Sequence, residues 1–284
     1  MPLATDRIRP RALTPPVPDD SRRYATASLY THSLRTAFGL GRSAKAKVFP
    51  WIVVGLAFTV AVVAVVVRSQ TGTVFISYLQ YPDTVGVPLL LFLAVVAPEL
   101  VSRDLRAHVL PLYFSRPIAR NDYALAKLAA MVSAAWLLLA GPELLIFLGG
   151  VFSQTGGLRG AWHEFTDFLG GLAYSGIEAL VFASVALLVA SLASRRALAA
   201  AAIVGTFLVT APVVGVLTVL GGTLRTVAPM FNPVSLVGGV KRVLFHTKIG
   251  EDLGIWGPMY VAVAISLVIV CGTLLVARYR KVDE

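Results

Sequence analysis

The chain has 284 residues, of which 57% are hydrophobic and only 14% are charged, and its formal net charge is +10. Soluble domains carry roughly 25% charged residues, so a soluble fold could not cover this much apolar surface, whereas lipid can act as the outer solvent of a membrane protein. The basic balance is typical of the cytoplasmic side of membrane proteins, so we expect no nucleic-acid partner, and the single Cys271 excludes an intrachain disulfide.

The N-terminal part of the chain divides into a polar tail and a short helix. Residues 1–23 contain five prolines and five arginines, and no apolar run follows them directly, so they predict a flexible basic cytoplasmic tail and not a secretory signal. In 24–40, Tyr30, Leu34 and Phe38 recur at helical spacing. This pattern predicts an amphipathic helix that lies in the cytoplasmic membrane interface.

The remainder of the domain, which we place at 24–284, is predicted to be an all-α membrane domain with six transmembrane helices. The first apolar segment has 20 residues without a charge, which as a helix would span about 30 Å. Asn121 is the predicted cap of the third helix, with Asp122 in its first turn. The six predicted spans are 48–67, 84–101, 123–149, 168–193, 197–220 and 255–277.

The distribution of lysine and arginine predicts the orientation of these spans. With the N-terminus inside, 19 of the 25 basic residues fall on the cytoplasmic side and 6 on the outer side. An even number of crossings then places both termini in the cytoplasm, and we expect a multi-pass protein of the cell (inner) membrane. The longest outer loop, 221–254, is predicted to lie on the outer surface as a short helix or to dip partway into the membrane.

Three carboxylates interrupt the apolar segments: Glu99, Glu143 and Glu178. A charge at the bilayer centre costs about 2.5–3.5 kcal/mol on insertion scales, so these side chains are expected to face protein or water, or to be protonated. Glu99 lies near a membrane edge and is expected to pair with Arg103 four residues later. For Glu143 and Glu178 two interpretations stay open, a lining of the translocation path and a hydrogen bond between helices.

The inner connection 102–127 is too long for a plain loop, since four residues would suffice. Ser102 can cap a short helix, in which Leu105 and Val109 share one face and which Pro111 ends. Three bulky apolar residues follow, and arginines flank the whole stretch. Apolar groups on the cytoplasmic side of a membrane protein predict a docking surface for a cytosolic partner.

Two short motifs lie just before this connection and in its second half. Pro98-Glu99-Leu100 precedes it, and Ser115-Arg116-Pro117 is followed by Arg120, Tyr123 and Lys127. The spacing SRP-x-xR-xxY-xxxK resembles the inner loop of the type-2 ABC transporter permeases. The motifs cover about thirty residues, while the six-helix plan, the N-terminal interface helix and the long outer loop resemble the family across nearly the whole chain.

The resemblance implies a permease subunit of an ATP-driven exporter, paired with a second permease copy or a paralogue and with cytosolic ABC ATPase subunits. The coupling helix would be 102–110 and its exit 111–117. The residues implied in ATPase coupling are Ser102, Arg103, Asp104, Leu105, Arg106, Val109, Leu110, Tyr113, Phe114 and Arg116. The chain itself contains no GxxxxGK[ST] motif, so we expect it not to be an enzyme and to hold no cofactor, with ATP and Mg²⁺ in the partner ATPase.

Two other classes of membrane protein stay open at this point. An ion-coupled secondary transporter could use Glu143 and Glu178 as its coupling sites, although the chain shows no inverted repeat and no matched pair of broken helices. A non-transporting subunit that anchors an assembly would need neither an ATPase nor a cargo.

Overall fold

The computed structural model describes residues 19–41, 44–101, 119–153, 156–193, 195–246 and 253–280, and over these ranges it contains helices and no strand. Two further turns, Ala228–Phe231 and Gly254–Trp256, are 3-10 helices. The α-helices are α1 (Asp19–Ala37), α2 (Ala44–Thr71), α3 (Tyr81–Thr84), α4 (Gly86–Leu100), α5 (Arg120–Ser153), α6 (Gly157–Leu192), α7 (Arg196–Val219), α8 (Gly222–Val227), α9 (Pro233–Phe245) and α10 (Gly257–Arg280).

Five helical stretches in the described ranges are long and apolar enough to cross a membrane. They correspond to the first, third, fourth, fifth and sixth predicted spans, so the prediction of an all-helical, multi-pass membrane chain is confirmed at this level. Their bounds are Lys47–Thr71, Asn121–Ser153, Gly157–Leu192, Arg196–Val219 and Gly254–Arg280.

The predicted second span, 84–101, corresponds to a shorter helix. α4 has 15 residues and is about 22 Å long, less than the roughly 30 Å of a bilayer core. The chain before it is irregular apart from the single turn α3. The Tyr81 hydroxyl donates to the carbonyl of Ala57 at 2.9 Å, near the middle of α2, so the irregular stretch 72–85 enters the bundle. Six complete spans are therefore not confirmed.

A helix is present in the N-terminal part and starts earlier than predicted, while its position in the cytoplasmic membrane interface stays a prediction. α1 begins at Asp19, and Tyr30, Leu34 and Phe38 all pack against the core. The Tyr30 hydroxyl donates to Ser133 Oγ at 2.9 Å, which fixes α1 along the first half of α5.

Contacts at one end of the bundle place the start of α5 beside the end of α10. α5 begins at Arg120, one residue before the predicted cap, so the capping role predicted for Asn121 is wrong. Asn121 instead lies in the first turn, where its Oδ1 accepts a hydrogen bond from Arg280 Nε at 3.1 Å. We call this end of the bundle the terminal end and the opposite end the loop end.

At the loop end, the segment 222–245 forms a helical hairpin that folds back into the bundle. Its turn is at Asn232, whose Nδ2 donates to the carbonyl of Phe207 at 3.0 Å and to Thr210 Oγ1 at 2.8 Å. Phe207 is the twelfth of the 24 residues of α7, so the turn lies roughly 18 Å below the loop end of that helix. Of the two predicted arrangements for this segment, the geometry matches the one that dips inward.

The asparagine at this turn also starts the second arm of the hairpin. Its Oδ1 accepts from the backbone N–H groups of Val234 and Ser235 at 2.8 and 3.1 Å, which makes Asn232 the N-cap of α9. Pro233 follows at the first helical position, where its missing N–H leaves no bond unmade. One buried side chain therefore fixes both the depth of the hairpin and the start of α9.

The second arm of the hairpin packs closely on α10 at Gly239, and the neighbouring Gly238 makes no such contact. A Cβ on Gly239 would lie 2.0 Å from Tyr260 Cδ1, whereas a Cβ on Gly238 would meet nothing within 4 Å. Tyr260 is fully buried and its hydroxyl donates to the Thr226 carbonyl at 2.6 Å, so the ring cannot move aside without breaking that bond.

We predict that Gly239→Ala destabilises the purified protein and that Gly238→Ala does not. Alanine is favoured over glycine in a helix by about 1 kcal/mol, so the control is expected to be neutral or slightly more stable. Overpacking at Gly239 is expected to cost about 2 kcal/mol, visible as a drop in the thermal unfolding midpoint. Equal midpoints for the two variants would show that α9 does not pack on Tyr260 in this way.

Candidate ligand-binding cavity

A cavity of about 730 Å³ lies between the stretch 77–90, α6, α7 and α9. This volume is within the roughly 300–1,000 Å³ of small-molecule sites. Most of the wall surface is apolar, and nine of the described lining residues are polar or charged. The polar and charged residues in the wall are Ser77, Gln80, Asp83, Tyr174, Glu178, Asn232, Ser235, Lys241 and Arg242.

The two irregular parts of the bundle both border this cavity. They are the stretch 72–85 and the hairpin turn at Asn232, and each reaches the middle of a long apolar helix. Non-helical backbone at membrane depth is tolerated only where it is buried in protein or lines a water-filled space, because lipid offers no hydrogen bonds. The irregular backbone can be stable here because it is buried among the helices or lines this cavity.

An ion pair joins the irregular stretch 72–85 to helix α9 across the cavity. Lys241 on α9 contacts Asp83, and its Nζ also donates to the carbonyl of Leu79 at 3.2 Å. The Tyr174 hydroxyl on α6 donates to Asp83 Oδ1 at 2.6 Å, and Lys241 Nζ lies 4.9 Å from the centre of the Tyr174 ring. The lysine is therefore already paired with a carboxylate, a carbonyl and an aromatic face.

Glu178 lies one helical turn beyond Tyr174 and forms part of the same wall. Only 3% of its surface is exposed. Its Oε2 has no hydrogen-bond partner in the part of the chain that the structure describes. The insertion cost predicted that this carboxylate would face protein and not lipid, and its burial confirms this.

Glu143 is also fully buried but lies outside the cavity wall. Its Oε1 accepts a hydrogen bond from Ser175 Oγ on α6, while Oε2 lacks a partner among the described residues. This contact links α5 to α6 and matches the interpretation of Glu143 as a partner between helices. Ser175 lies three residues before Glu178 on α6. The contact of Glu143 with α6 is therefore within one helical turn of Glu178.

The other predicted residues are Glu99, which is not part of the described cavity wall, and those of the predicted coupling segment. Glu99 contacts Arg196, the first residue of α7, a pair that the sequence analysis did not anticipate. Its predicted partner Arg103 lies outside the described residues. The same holds for every residue predicted to couple to an ATPase: Ser102, Arg103, Asp104, Leu105, Arg106, Val109, Leu110, Tyr113, Phe114 and Arg116.

Sequence reasoning missed Asp83, Tyr174, Asn232 and Lys241 as members of one site. A signal was present, because Asp83 is the only charge between Arg68 and Glu99, and Lys241 with its neighbour Arg242 interrupts an otherwise apolar stretch. Charged groups in that setting are costly and need a partner. What the pattern could not show is that these two residues, 158 positions apart in the chain, are each other's partner.

No protein-family model matches the chain, and no curated protein matches it. The function of the protein is therefore argued from the geometry of the cavity and from the motifs within residues 98–127.

Proposed function

We propose that this chain is the membrane permease subunit of an ATP-driven transporter, an exporter, whose substrate occupies the cavity beside α6. The cavity of about 730 Å³ with a buried carboxylate in its wall carries the proposal. Charged groups among membrane helices are expensive, and those that persist typically mark the path of a substrate or ion. A subunit that only anchored an assembly would gain nothing from such a space.

The source of energy in the proposal is a separate ATPase. Its support is the resemblance of residues 98–127 to the inner loop of type-2 ABC permeases, together with the absence of a P-loop motif from this chain. The loop 102–117 would dock on the cytosolic ATPase, with both termini of the chain on that same cytoplasmic side. A second permease copy or a paralogue would complete the transporter.

An ion-coupled secondary transporter is the second candidate, and one observation favours it. Glu143 and Glu178 each keep a carboxylate oxygen without a partner among the described residues, as expected of groups that bind and release protons. The two candidates differ in what drives transport, so they can be separated by the energy source alone.

The experiment that tests the proposal isolates the tagged chain from its native membranes and identifies what accompanies it. We expect a protein with a GxxxxGK[ST] motif in a fixed ratio, and ATP hydrolysis that disappears when the lysine of that motif is replaced. Isolation without such a partner, with cargo movement that a protonophore abolishes, would instead establish the ion-coupled candidate. A chain with no ATPase partner and no cargo movement under either energy source would be an anchor.

A further inference from the structure

We propose that the cavity binds hydrophobic organic cations, and that Glu178 is the counter-ion of the cationic group. The inference rests on the proposed function, in which the cavity holds the substrate, and it deepens that function by naming the class of substrate. It is carried by the charges in the cavity wall and by their depth.

The order of residues along the cavity follows from contacts between α6 and α7. Phe182 packs edge-to-face on Phe207, with ring centres 4.9 Å apart, and Phe207 is the level at which the hairpin turns. Glu178 lies one turn closer to the loop end, and Tyr174 with its partner Asp83 one turn closer again. The buried carboxylate thus lies between an aromatic floor and an ion pair nearer the loop end.

The basic groups in the wall are placed where they do not neutralise Glu178 by contact. Lys241 is held by Asp83 and the Leu79 carbonyl. Arg242 lies three residues before the end of α9, on the loop-end side of the cavity. The deep part of the described wall therefore carries one acidic side chain and no basic one.

This arrangement favours a cation with an apolar body over a neutral or anionic molecule. Opposite charges attract more strongly where water is excluded, and the wall contains the aromatic rings of Phe182 and Phe207, a type of group that attracts cations. The apolar wall, to which Leu79, Val87, Leu90, Leu208, Val234 and Val237 contribute, suits a hydrocarbon body. An anion would meet the carboxylate at the deep end and would find the nearest ammonium already paired.

The test uses two probes of matched shape and opposite charge, tetraphenylphosphonium and tetraphenylborate. Their binding to the purified full chain in detergent is measured by equilibrium dialysis with labelled probe. We expect tetraphenylphosphonium to bind at least tenfold more tightly than tetraphenylborate. Glu178→Gln keeps the shape of the side chain and removes its charge. We expect this variant to bind tetraphenylphosphonium at least tenfold more weakly, and to bind tetraphenylborate with unchanged or slightly higher affinity.

The matched control is Glu143→Gln, which removes the same charge from a buried site outside the wall. It is expected to keep the affinity for tetraphenylphosphonium within threefold. If Glu178→Gln does not fold, a second variant, Ser235→Lys, is used, which places a positive charge at a partly exposed position of the same wall. We expect it to lower the affinity for tetraphenylphosphonium at least tenfold. Size-exclusion profiles confirm that each variant is folded.

The proposal is overturned if both probes bind equally, if Glu178→Gln binds tetraphenylphosphonium as tightly as the parent chain, or if Glu143→Gln loses as much affinity. Failure here is distinct from failure of the proposed function. A chain that ignores the phosphonium but still isolates with an ATPase and moves another cargo retains the function and refutes only the substrate class.

Discussion

Replacing Glu164 by glutamine is expected to lower the free energy of unfolding by about 3 kcal/mol, the largest loss of stability that we expect from a single substitution in the described chain. Arg68 Nη1 and Nη2 donate to the two carboxylate oxygens at 2.6 and 2.7 Å, and the Tyr78 hydroxyl donates to Oε1 at 2.5 Å. The variant would leave the guanidinium without its counter-ion in a site where it is only 15% exposed.

The reason for so large an effect is that the carboxylate joins three separate parts of the fold. Arg68 is at the loop end of α2, Glu164 is in the second turn of α6, and Tyr78 belongs to the irregular stretch that borders the cavity. The chain makes room for the pair at Gly150 on α5, where a Cβ would lie 2.4 Å from Glu164 Oε1. Few exposed ion pairs contribute more than about 1 kcal/mol, but this one is largely excluded from solvent.

The control for this prediction is Asp167→Asn, which removes an acidic charge from the same helix at an exposed position and is expected to change stability by less than about 0.5 kcal/mol. The double variant Arg68→Gln with Glu164→Gln is expected to be more stable than Glu164→Gln alone, because no uncompensated charge remains. Stability is measured by titrating the micelle-bound protein with a denaturing detergent. Additive losses in the double variant would contradict the proposed role of the ion pair.

The sequence predicted the long helices well because lipid imposes a simple requirement on them. In α2, α7 and α10 an uninterrupted apolar run of bilayer length has few alternatives to a spanning helix, and these helices begin and end within a few residues of the prediction. α6 begins eleven residues earlier than predicted, since a helix continues past its apolar stretch into polar residues such as Glu164. Hydropathy shows where a helix meets lipid, and not where its hydrogen bonds end.

α4 shows why the same reasoning was less successful for the second span. Phe92 and Leu93 are fully buried against other helices, so the apolar character of 84–101 reflects protein packing as much as contact with lipid. Hydropathy averaged along the sequence cannot separate burial in protein from contact with lipid. The shortness of α4 depends on the inward course of 72–85, which is set by long-range hydrogen bonds such as that from Tyr81 to Ala57.

For the candidate site, sequence reasoning identified the carboxylates whose insertion into a membrane costs free energy, but not how they are arranged. Glu143 and Glu178 stood out because each is a charge inside an apolar run. That Glu178, and not Glu143, lies in the wall of this cavity follows from the inward hairpin and from the pairing of Lys241 with Asp83. Both are long-range features, and no local pattern of residues encodes them.

The largest functional effect is expected from a double substitution in the predicted coupling segment, Leu105→Asp with Val109→Asp. A helix that docks on a partner needs apolar anchors, and the loss of two of them often costs a few kcal/mol, about a hundredfold in affinity. Both residues lie four positions apart on one predicted helical face. We expect the ATPase to be lost on purification and ATP-driven transport to fall to background.

The matched control for this double substitution is Leu105→Ile with Val109→Ile, which keeps both positions apolar and is expected to retain the ATPase and transport. Neither residue belongs to a predicted span, so the aspartate variant should still insert in the membrane with normal abundance and a normal unfolding midpoint. If the residues only packed against the inner ends of this chain's own helices, a fall in that midpoint would accompany the loss of transport. An aspartate variant that inserts normally, keeps its ATPase and still transports would show that 102–110 is not the coupling helix.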